Sequence, residues 1–360
     1  MTNRVTICGA FGGVNIGDEA IAETMRAQVS RAFPGARIGL DCFVSRAVLD
    51  QTGYTMSETD IASREDWRTI ISWLRQGPLV IGGGQMLNGS KNGKGPGYLF
   101  SIALLARLFG QKVMLLGVGT RAVEKFPASR FFMRRLAKLA NVIRVRDIQS
   151  REALIACGVS SDRIEVTADV VFSGVVAADA CSSRDHRHMC LAVHQSPLVT
   201  HYTAGDYARL AIRLAQAAGS AKLDLVCHDV RPGYDLEFAN AVQNEIEAQS
   251  DLAAQVIIPK TVSEAMSLYS AAGIVVSSRM HPLILGLAAG APVLPLAGSA
   301  KVRDLASLYG AGSLLGIEST TEQLLVGLRP IAEGGVLMAG IPEELLARSQ
   351  YNFINLPRKE

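Results

Sequence analysis

The chain has 360 residues, 49% of them apolar, which is enough to bury the cores of two ordinary domains. Its 36 Lys and Arg residues against 33 Asp and Glu residues give a net charge of +3, which argues against a nucleic-acid-binding protein. A signal-peptide pattern, a membrane-spanning apolar run, CxxC spacing and metal-ligand spacing are all missing from the sequence. These features predict a cytoplasmic protein without a metal or other cofactor.

The first half alternates short apolar runs, typical of strands, with longer segments of helical period. The predicted strands are RVTICGA, IGLDCFV, GPLVIGGG, KVMLLGVG, NVIRVRD and RIEVTAD. The predicted helices are IGDEAIAETMRAQVSRAF, YLFSIALLARLF and ASRFFMRRLAKLA. Runs such as VMLLGVG are apolar on both faces, which favours a parallel sheet covered by helices. Residues 1–178 are therefore predicted to form a Rossmann-like domain.

The alternation of strand-like and helical segments stops in the polar stretch AADACSSRDHRH, which is predicted to be a linker. It begins again after this stretch. Strands are predicted in MCLAVHQ, KLDLVCH, AQVIIPK, GIVVSS and APVLPLA, giving a second Rossmann-like domain over residues 189–335. Residues 336–360 are predicted to form a helical tail, with a return to the first domain left open. The predicted fold is α/β, with two doubly wound domains facing across a cleft. Such sheets bind ligands at the carboxyl ends of their strands.

Two turns of the first half are candidates for function. The turn CGAFGGVNIGDEA is glycine-rich but fits neither GxGxxG nor a P-loop. Its Asp18 and Glu19 suit sugar hydroxyls or a general base, and the alternative is ordinary helix capping. A second turn, GGGQMLNGSKNGKGPG, is predicted to be a long functional loop, with a disordered surface loop as the alternative.

A basic stripe occupies one predicted helix of the first half. Arg130, Arg134 and Lys138 follow one another at spacings of four, beside Arg135. Such a stripe suits an anionic membrane surface or a lipid-linked diphosphate. A solvated helix face is the favoured alternative.

The most polar turn of the second half follows the buried strand GIVVS. Ser278, Arg279 and His281 stand there, just before an apolar helix that opens with Pro282. Arginine offers a planar fork of donors suited to carboxylate or phosphate, and histidine can transfer a proton near neutral pH. We therefore predict an anion-binding and proton-transfer site at this turn.

An ordered set of motifs runs over residues 5–310. The set is NxGDEA at 15–20, GGG at 82–84, GVG at 117–119, VRD at 145–147 with Ser150, TAD at 167–169, SRMH at 278–281 and KV at 301–302. Together these motifs resemble the polysaccharide pyruvyltransferase family. The resemblance implies a fold like that of GT-B glycosyltransferases. It also implies transfer of pyruvate from phosphoenolpyruvate to two hydroxyls of one sugar as a cyclic ketal.

The resemblance, together with the chemistry of ketal formation, suggests roles for particular residues. The second domain would bind the donor through Arg279, Ser278, His194 and Lys301, with His281 as the general acid. The first domain would face the sugar acceptor with a set of turn residues, and Asp18 would accept a hydroxyl proton. The implied acceptor residues are Asn15, Gly13, Gly83, Gly84 and Gln85. The sequence leaves three points open. They are whether the acceptor is lipid-linked, whether the protein associates peripherally with the inner face of the cell membrane, and its oligomeric state.

One position departs from the family pattern. Many members place an arginine near the end of the first strand of the second domain, where this sequence has His194 followed by Gln195. Either His194 substitutes for that arginine or the donor pocket differs.

Two other functions remain open. A nucleotide-sugar glycosyltransferase of the same fold would need an acidic residue in the second domain, for which Glu264 and Asp304 are available. The other is an inactive sugar-binding scaffold protein, against which the pair Arg279 and His281 argues.

Overall fold

The structure is a computed structural model that describes residues 4–9, 11, 15–42, 61–62, 67–174, 184–195, 202–311, 313–330 and 333–358. The chain divides into two compact units. The first comprises Met1–Val14, Asp18–Val175 and Pro342–Glu360, and the second comprises Asn15–Gly17 and Val176–Ile341. The short segment Asn15–Gly17 is thus the one part of the N-terminal sequence that belongs to the second unit.

The first unit is built on a seven-stranded parallel sheet in the order β3-β2-β1-β4-β6-β8-β9. The strands are β1 (Arg4–Gly9), β2 (Arg37–Cys42), β3 (Ile61–Ala62), β4 (Leu79–Gly82), β6 (Val113–Val118), β8 (Val142–Val145) and β9 (Glu165–Val166), with a separate pair β5 (Leu87–Asn88) and β7 (Thr120–Arg121). The helices are α1 (Ile16–Ala32), α2 (Trp67–Leu74), α3 (Lys94–Leu108), α4 (Pro127–Leu139), α5 (Ile148–Ala156) and α6 (Val171–Gly174). Every residue of β4 and β6 is buried, which confirms central strands that are apolar on both faces.

The second unit is built on a five-stranded parallel sheet in the order β12-β11-β10-β13-β14. Its strands are β10 (Asp185–Ala192), β11 (Lys222–Val226), β12 (Ala253–Ile257), β13 (Ala272–Ser277) and β14 (Val293–Pro295). Its helices are α7 (Ala204–Ala218), α8 (Asp235–Gln249), α9 (Val262–Ala271), α10 (Met280–Ala288), α11 (Ala300–Leu308) and α12 (Thr321–Gly327). The strand order reverses between β10 and β13, so the topological switch point, where such sheets bind ligands, lies between these strands.

The C-terminal segment packs within the first unit. After α13 (Glu343–Tyr351), the fully buried Asn352 accepts a hydrogen bond from Thr167 Oγ1 (2.9 Å) and donates one to the Ala168 carbonyl (3.1 Å). Arg144 donates to the carbonyls of Asn352 (3.2 Å) and Ile354 (2.8 Å). These bonds satisfy buried polar groups on both sides of the contact.

The structure assigns residues 15–17 and 336–341 to the second unit, whereas the sequence placed them in the first domain and the C-terminal tail, and it also moves two element boundaries. Helix α3 begins at Lys94, so the predicted long loop is shortened to residues 83–93; Gly97 lies inside the helix, where a Cβ would be 3.3 Å from the Phe132 ring. Strand β10 begins at Asp185, inside the predicted linker, because His188 is buried beside Asp224 of β11. Within the described ranges, no helix is both long and apolar enough to cross a membrane.

Candidate active site

The ends of the two central strands of the second sheet carry the predicted site residues. Ala192, the last residue of β10, pairs with Ser277, the last residue of β13. His194 and Gln195 follow the first strand, while Ser278 and Arg279 follow the second. Because the strands are parallel, both turns emerge at the same edge of the sheet, at its switch point.

Arg279 is fixed at this edge by a buried carboxylate. Its Nη2 donates to Asp235 Oδ1 (2.5 Å) and to the Gln195 carbonyl (3.3 Å), and its backbone N donates to Ser277 Oγ (2.9 Å). The Nε–H of Arg279 is also buried, and it finds no acceptor among the residues that the structure describes. A buried donor without an acceptor is costly. Arg279 is thus a cation fixed beside the strand ends, with one buried N–H that the described residues leave unpaired.

Asp235 is the anchor of this arrangement. It is fully buried at the start of α8 and also accepts hydrogen bonds from the backbone N–H groups of Gln195 (3.1 Å), His228 (3.2 Å) and Asp229 (2.9 Å). Burial raises the pKa of Asp235, while the Arg279 guanidinium and the backbone N–H groups oppose that rise. One carboxylate thus ties together the turns after β10, β11 and β13.

His194 lies beside Arg279 as a neutral imidazole. Its pKa is lowered to about 3, mainly by burial and also by the positive charges of Arg279 and Lys301. Its Nδ1 lies 3.3 Å from Ser278 Oγ. At neutral pH His194 can therefore exchange hydrogen bonds with a ligand, but it does not supply the positive charge of the arginine that the family pattern leads one to expect.

A pocket of about 150 Å³ opens beside these residues. Its lining includes His194, Gln195, Tyr202, Ser278, Gly298 and Arg303. Lys301 stands on the first turn of α11, close enough to His194 to lower its pKa. Lys301 and Arg303 add two positive charges to this region beside Arg279, whose own charge is paired with Asp235, and such a group of cations suits a small anion.

Residues 15–17 bring part of the N-terminal motif to the second unit. Asn15 forms an antiparallel bridge with Asp229, and the Ile16 N–H donates to the His228 carbonyl (3.0 Å). Asn15 Oδ1 also accepts from the Gly17 N–H (2.8 Å). A Cβ on Gly17 would lie only 2.2 Å from Nδ1 of His281, so the glycine makes room for the imidazole. The NxGD and SRMH motifs are in direct contact here.

The predicted acceptor residues of the first unit occupy positions with clear structural roles. Gly83 and Gly84 have φ values of +71° and +68°, and a Cβ on Gly83 would lie 2.0 Å from Cγ2 of Ile21 in α1. Gln85 Nε2 donates to the Thr120 carbonyl (3.0 Å), and Asp18 stands on the first turn of α1, where the helix dipole favours a carboxylate. Gly13 lies outside the described residues.

Sequence reasoning missed Asp235, Tyr202 and Arg303. A signal for Asp235 existed, because an acidic residue opens a helix directly after the turn that follows strand KLDLVCH. The acidic residue considered instead, Glu264, caps its own helix: its Oε2 accepts from the Lys260 N–H (2.8 Å), and its N–H donates to Thr261 Oγ1 (3.1 Å). Glu264 is thereby committed to the start of α9.

A group of potential metal ligands lies earlier on β10. The ligand atoms of His188, Cys190 and Asp224 lie within 4.8 Å of one another, and all three residues are buried. His188 Nε2 is 2.8 Å from Asp224 Oδ2, and Gln255 Nε2 donates to Asp224 Oδ1 (2.7 Å). These contacts join three neighbouring strands through buried side chains. That the reaction needs no metal stays a prediction.

Comparison with known proteins identifies the class. The fold is GT-B-like. The chain is similar to the structure of UDP-GlcNAc 2-epimerase from Neisseria meningitidis bound to UDP-GlcNAc, with 15% sequence identity and a TM-score of 0.59. The match covers 97% of this chain and 98% of the epimerase chain. The enzyme of the same name from Methanocaldococcus jannaschii is 12% identical with a TM-score of 0.61, covering 96% and 98%. No curated protein matches the chain.

A match to a protein-family model identifies the family of this chain. The family model for polysaccharide pyruvyl transferase matches residues 15–299, which include both the NxGD and SRMH motifs. The chain belongs to the polysaccharide pyruvyl transferase family.

The buried ion pair leads to a stability prediction. Asp235→Asn should lower the free energy of unfolding by about 3 kcal/mol, because it leaves the Arg279 charge without its counter-ion. Urea unfolding should be followed by far-UV circular dichroism, since both tryptophans, Trp67 and Trp73, lie in the first unit. Arg209→Ala, which breaks the exposed pair with Asp206, is the matched control and should change little. Equal losses in the two variants would contradict the anchoring role of Asp235.

The neutral state of His194 predicts a pH dependence of stability. Its folded pKa of about 3 lies below its ordinary value of 6.5, so between these values the unfolded chain binds more protons and stability falls as the pH is lowered. His194→Gln removes this linkage. From pH 7 to pH 5 the wild-type protein should lose more stability than the variant, by on the order of 1 kcal/mol. Parallel losses in urea unfolding would show that His194 titrates normally in the folded protein.

The contact between Gly17 and His281 is also testable. Gly17→Ala should displace the His281 imidazole, because the new methyl group would overlap its ring. The displacement should appear as a shift of the His281 side-chain resonances in NMR spectra, assigned by their loss in His281→Ala. Gly95→Ala is the control, since a Cβ there would meet only the Asn88 carbonyl oxygen at 3.8 Å. Unchanged His281 resonances in Gly17→Ala would refute the contact.

Proposed function

We propose that the protein transfers pyruvate from phosphoenolpyruvate to two hydroxyls of a saccharide, forming a cyclic ketal and releasing phosphate. The observation that carries the proposal is Arg279, whose guanidinium is fixed by Asp235 and keeps a buried N–H without an acceptor among the described residues. Membership of the polysaccharide pyruvyl transferase family supports the same reaction class.

The donor would bind at the carboxyl edge of the second sheet. Phosphoenolpyruvate carries a carboxylate and a phosphate, and Arg279, Lys301 and Arg303 are cations suited to both. Ser278 and the neutral His194 would add hydrogen bonds. The pocket of about 150 Å³ matches a ligand as small as a three-carbon phosphate better than a nucleotide-sugar.

The chemistry begins with protonation of the methylene carbon C3, for which His281 is the proposed acid. The electron pair of the C2–C3 double bond forms the new C–H bond, and C2 becomes electrophilic. The first sugar hydroxyl attacks C2 and loses its proton. The C2–O bond to phosphate then breaks, and the second hydroxyl forms the other C–O bond of the ketal, its proton balancing the departing phosphate. Arg279 would stabilise the negative charge that develops on the phosphate.

The acceptor is proposed to be a saccharide of a polysaccharide or of its lipid-linked precursor. Asp18 would accept a hydroxyl proton, and Asn15, Gly13, Gly83, Gly84 and Gln85 would contact the sugar. Asn15 supports this assignment best, because its segment also contacts the SRMH turn through Gly17 and His281. The reaction as proposed needs no cofactor and would take place in the cytoplasm.

The decisive experiment combines ligand binding with product analysis. Calorimetry should detect phosphoenolpyruvate binding to the wild-type protein, and added saccharide acceptors should elicit phosphate release. Arg279→Lys should weaken phosphoenolpyruvate binding by about 10- to 100-fold, because an ammonium ion cannot reproduce the fork of donors. His281→Ala should bind phosphoenolpyruvate nearly normally, while turnover falls by about 100-fold or more.

A control variant and three contrary outcomes complete the experiment. His186→Ala, at an exposed position of β10, should retain both binding and turnover. Binding of a UDP-sugar with release of UDP would favour a GT-B glycosyltransferase instead. Saccharide binding without release of either product would favour an inactive scaffold protein. Normal turnover in His281→Ala would exclude this residue as the acid.

A further inference from the structure

Helix α4 of the first unit has two contrasting faces. Its buried side chains pack on the core, and its exposed face is basic. The buried residues are Ser129, Met133, Leu136 and Ala137, and the exposed ones include Arg130, Phe131, Arg134, Arg135 and Lys138. The helix has three arginines, one lysine and no acidic residue over 13 positions, whereas the whole chain carries a net charge of only +3. This face therefore carries a local excess of positive charge.

The basic side chains line a concave pocket. A cavity of about 380 Å³ is bordered by Arg130, Phe131, Arg134, Arg135, Lys138 and Cys157. Within the described part of the chain, none of the four cations forms an ion pair. Burial raises the pKa of Cys157 to about 11, so its thiol adds no negative charge. The pocket is thus a net positive concavity, which attracts phosphate groups.

Exposed apolar side chains stand beside these charges. Phe131 is 52% exposed; its ring contacts that of Phe132 edge-on (5.4 Å between centroids), and the Arg135 guanidinium lies 5.1 Å from its centroid. Phe132 in turn contacts Phe100 of α3. Leu104 and Leu108, 38% and 71% exposed, follow Phe100 at spacings of four and eight and so continue its face of α3. A soluble anion would gain little from this apolar surface.

We propose that the exposed face of α4 docks the first unit on an anionic membrane surface. Lipid phosphates would occupy the basic pocket, and Phe131 would insert among the headgroups. The combination of clustered Lys and Arg with exposed aromatic and aliphatic side chains is typical of surfaces that lie in the membrane interface. The docking does not depend on pyruvyl transfer, so this proposal and the proposed function can fail separately.

Co-sedimentation of the full chain with lipid vesicles tests the proposal. Vesicles in which about a third of the lipid is phosphatidylglycerol should bind the protein, and binding should weaken as salt is raised. Pure phosphatidylcholine vesicles should bind it poorly. The double variant Arg134→Glu/Lys138→Glu should reduce binding by on the order of tenfold or more, since each cation near an anionic surface contributes about fivefold. Phe131→Ser should also reduce binding while leaving all charges in place.

A charge-matched control separates this surface from overall charge. Arg68→Glu/Lys260→Glu makes the same change in net charge at exposed positions outside the pocket and should bind vesicles as the wild-type protein does. Circular dichroism should show that every variant folds. Equal binding by both double variants, equal binding to neutral vesicles, or no vesicle binding would overturn the proposal. Displacement by inorganic diphosphate beyond its ionic-strength effect, measured against sulfate at the same ionic strength, would instead indicate a site for a soluble phosphate and would also overturn it.

Discussion

The ion pair between Asp235 and Arg279 is the constraint on which the candidate active site depends. A buried carboxylate is costly unless it is fully hydrogen-bonded, and Asp235 meets this requirement with three backbone N–H groups as well as the guanidinium. Those N–H groups belong to the turns after β10 and β11, while Arg279 follows β13. A single side chain thereby sets the relative positions of three turns. The guanidinium is held in place before any ligand arrives, which spares binding the cost of ordering it.

The sequence predicts the sheets far better than it predicts this anchor. Strands β4 and β6 are recognisable because their residues are apolar on both faces, and the turn at Arg279 is recognisable because it is polar at the end of such a strand. Asp235 gives no comparable signal. An acidic residue at a helix start is common, and its partner is 44 positions away in the chain. Only the strand order brings the two together, and that order is not local information.

The protonation states of the buried histidines are also not predictable from the sequence. His194 and His228 stand at the ends of predicted apolar strands, but residue type does not reveal that their pKa values are lowered to about 3, mainly by burial. His228 is stacked on Tyr269, with 2.5 Å between Nε2 and the phenol oxygen. The placement of Gly17 against His281 is equally hidden, because the two residues come from opposite halves of the chain. Residue type suggests the chemistry of a site, but the surroundings decide its charge.

The GT-B-like scaffold and individual side chains would make separate contributions to the proposed anion site. Helices α8, α10 and α11 all begin at the carboxyl edge of the second sheet, and the N-terminal ends of helices favour negative charge. Any protein of this fold can inherit that feature, which is consistent with structural likeness to epimerases at only 12% and 15% identity. The fixed Arg279 and the small pocket beside a neutral His194 depend on individual side chains rather than on the fold. Selectivity for the proposed donor would therefore arise from these residues, because the scaffold alone would accept many anions.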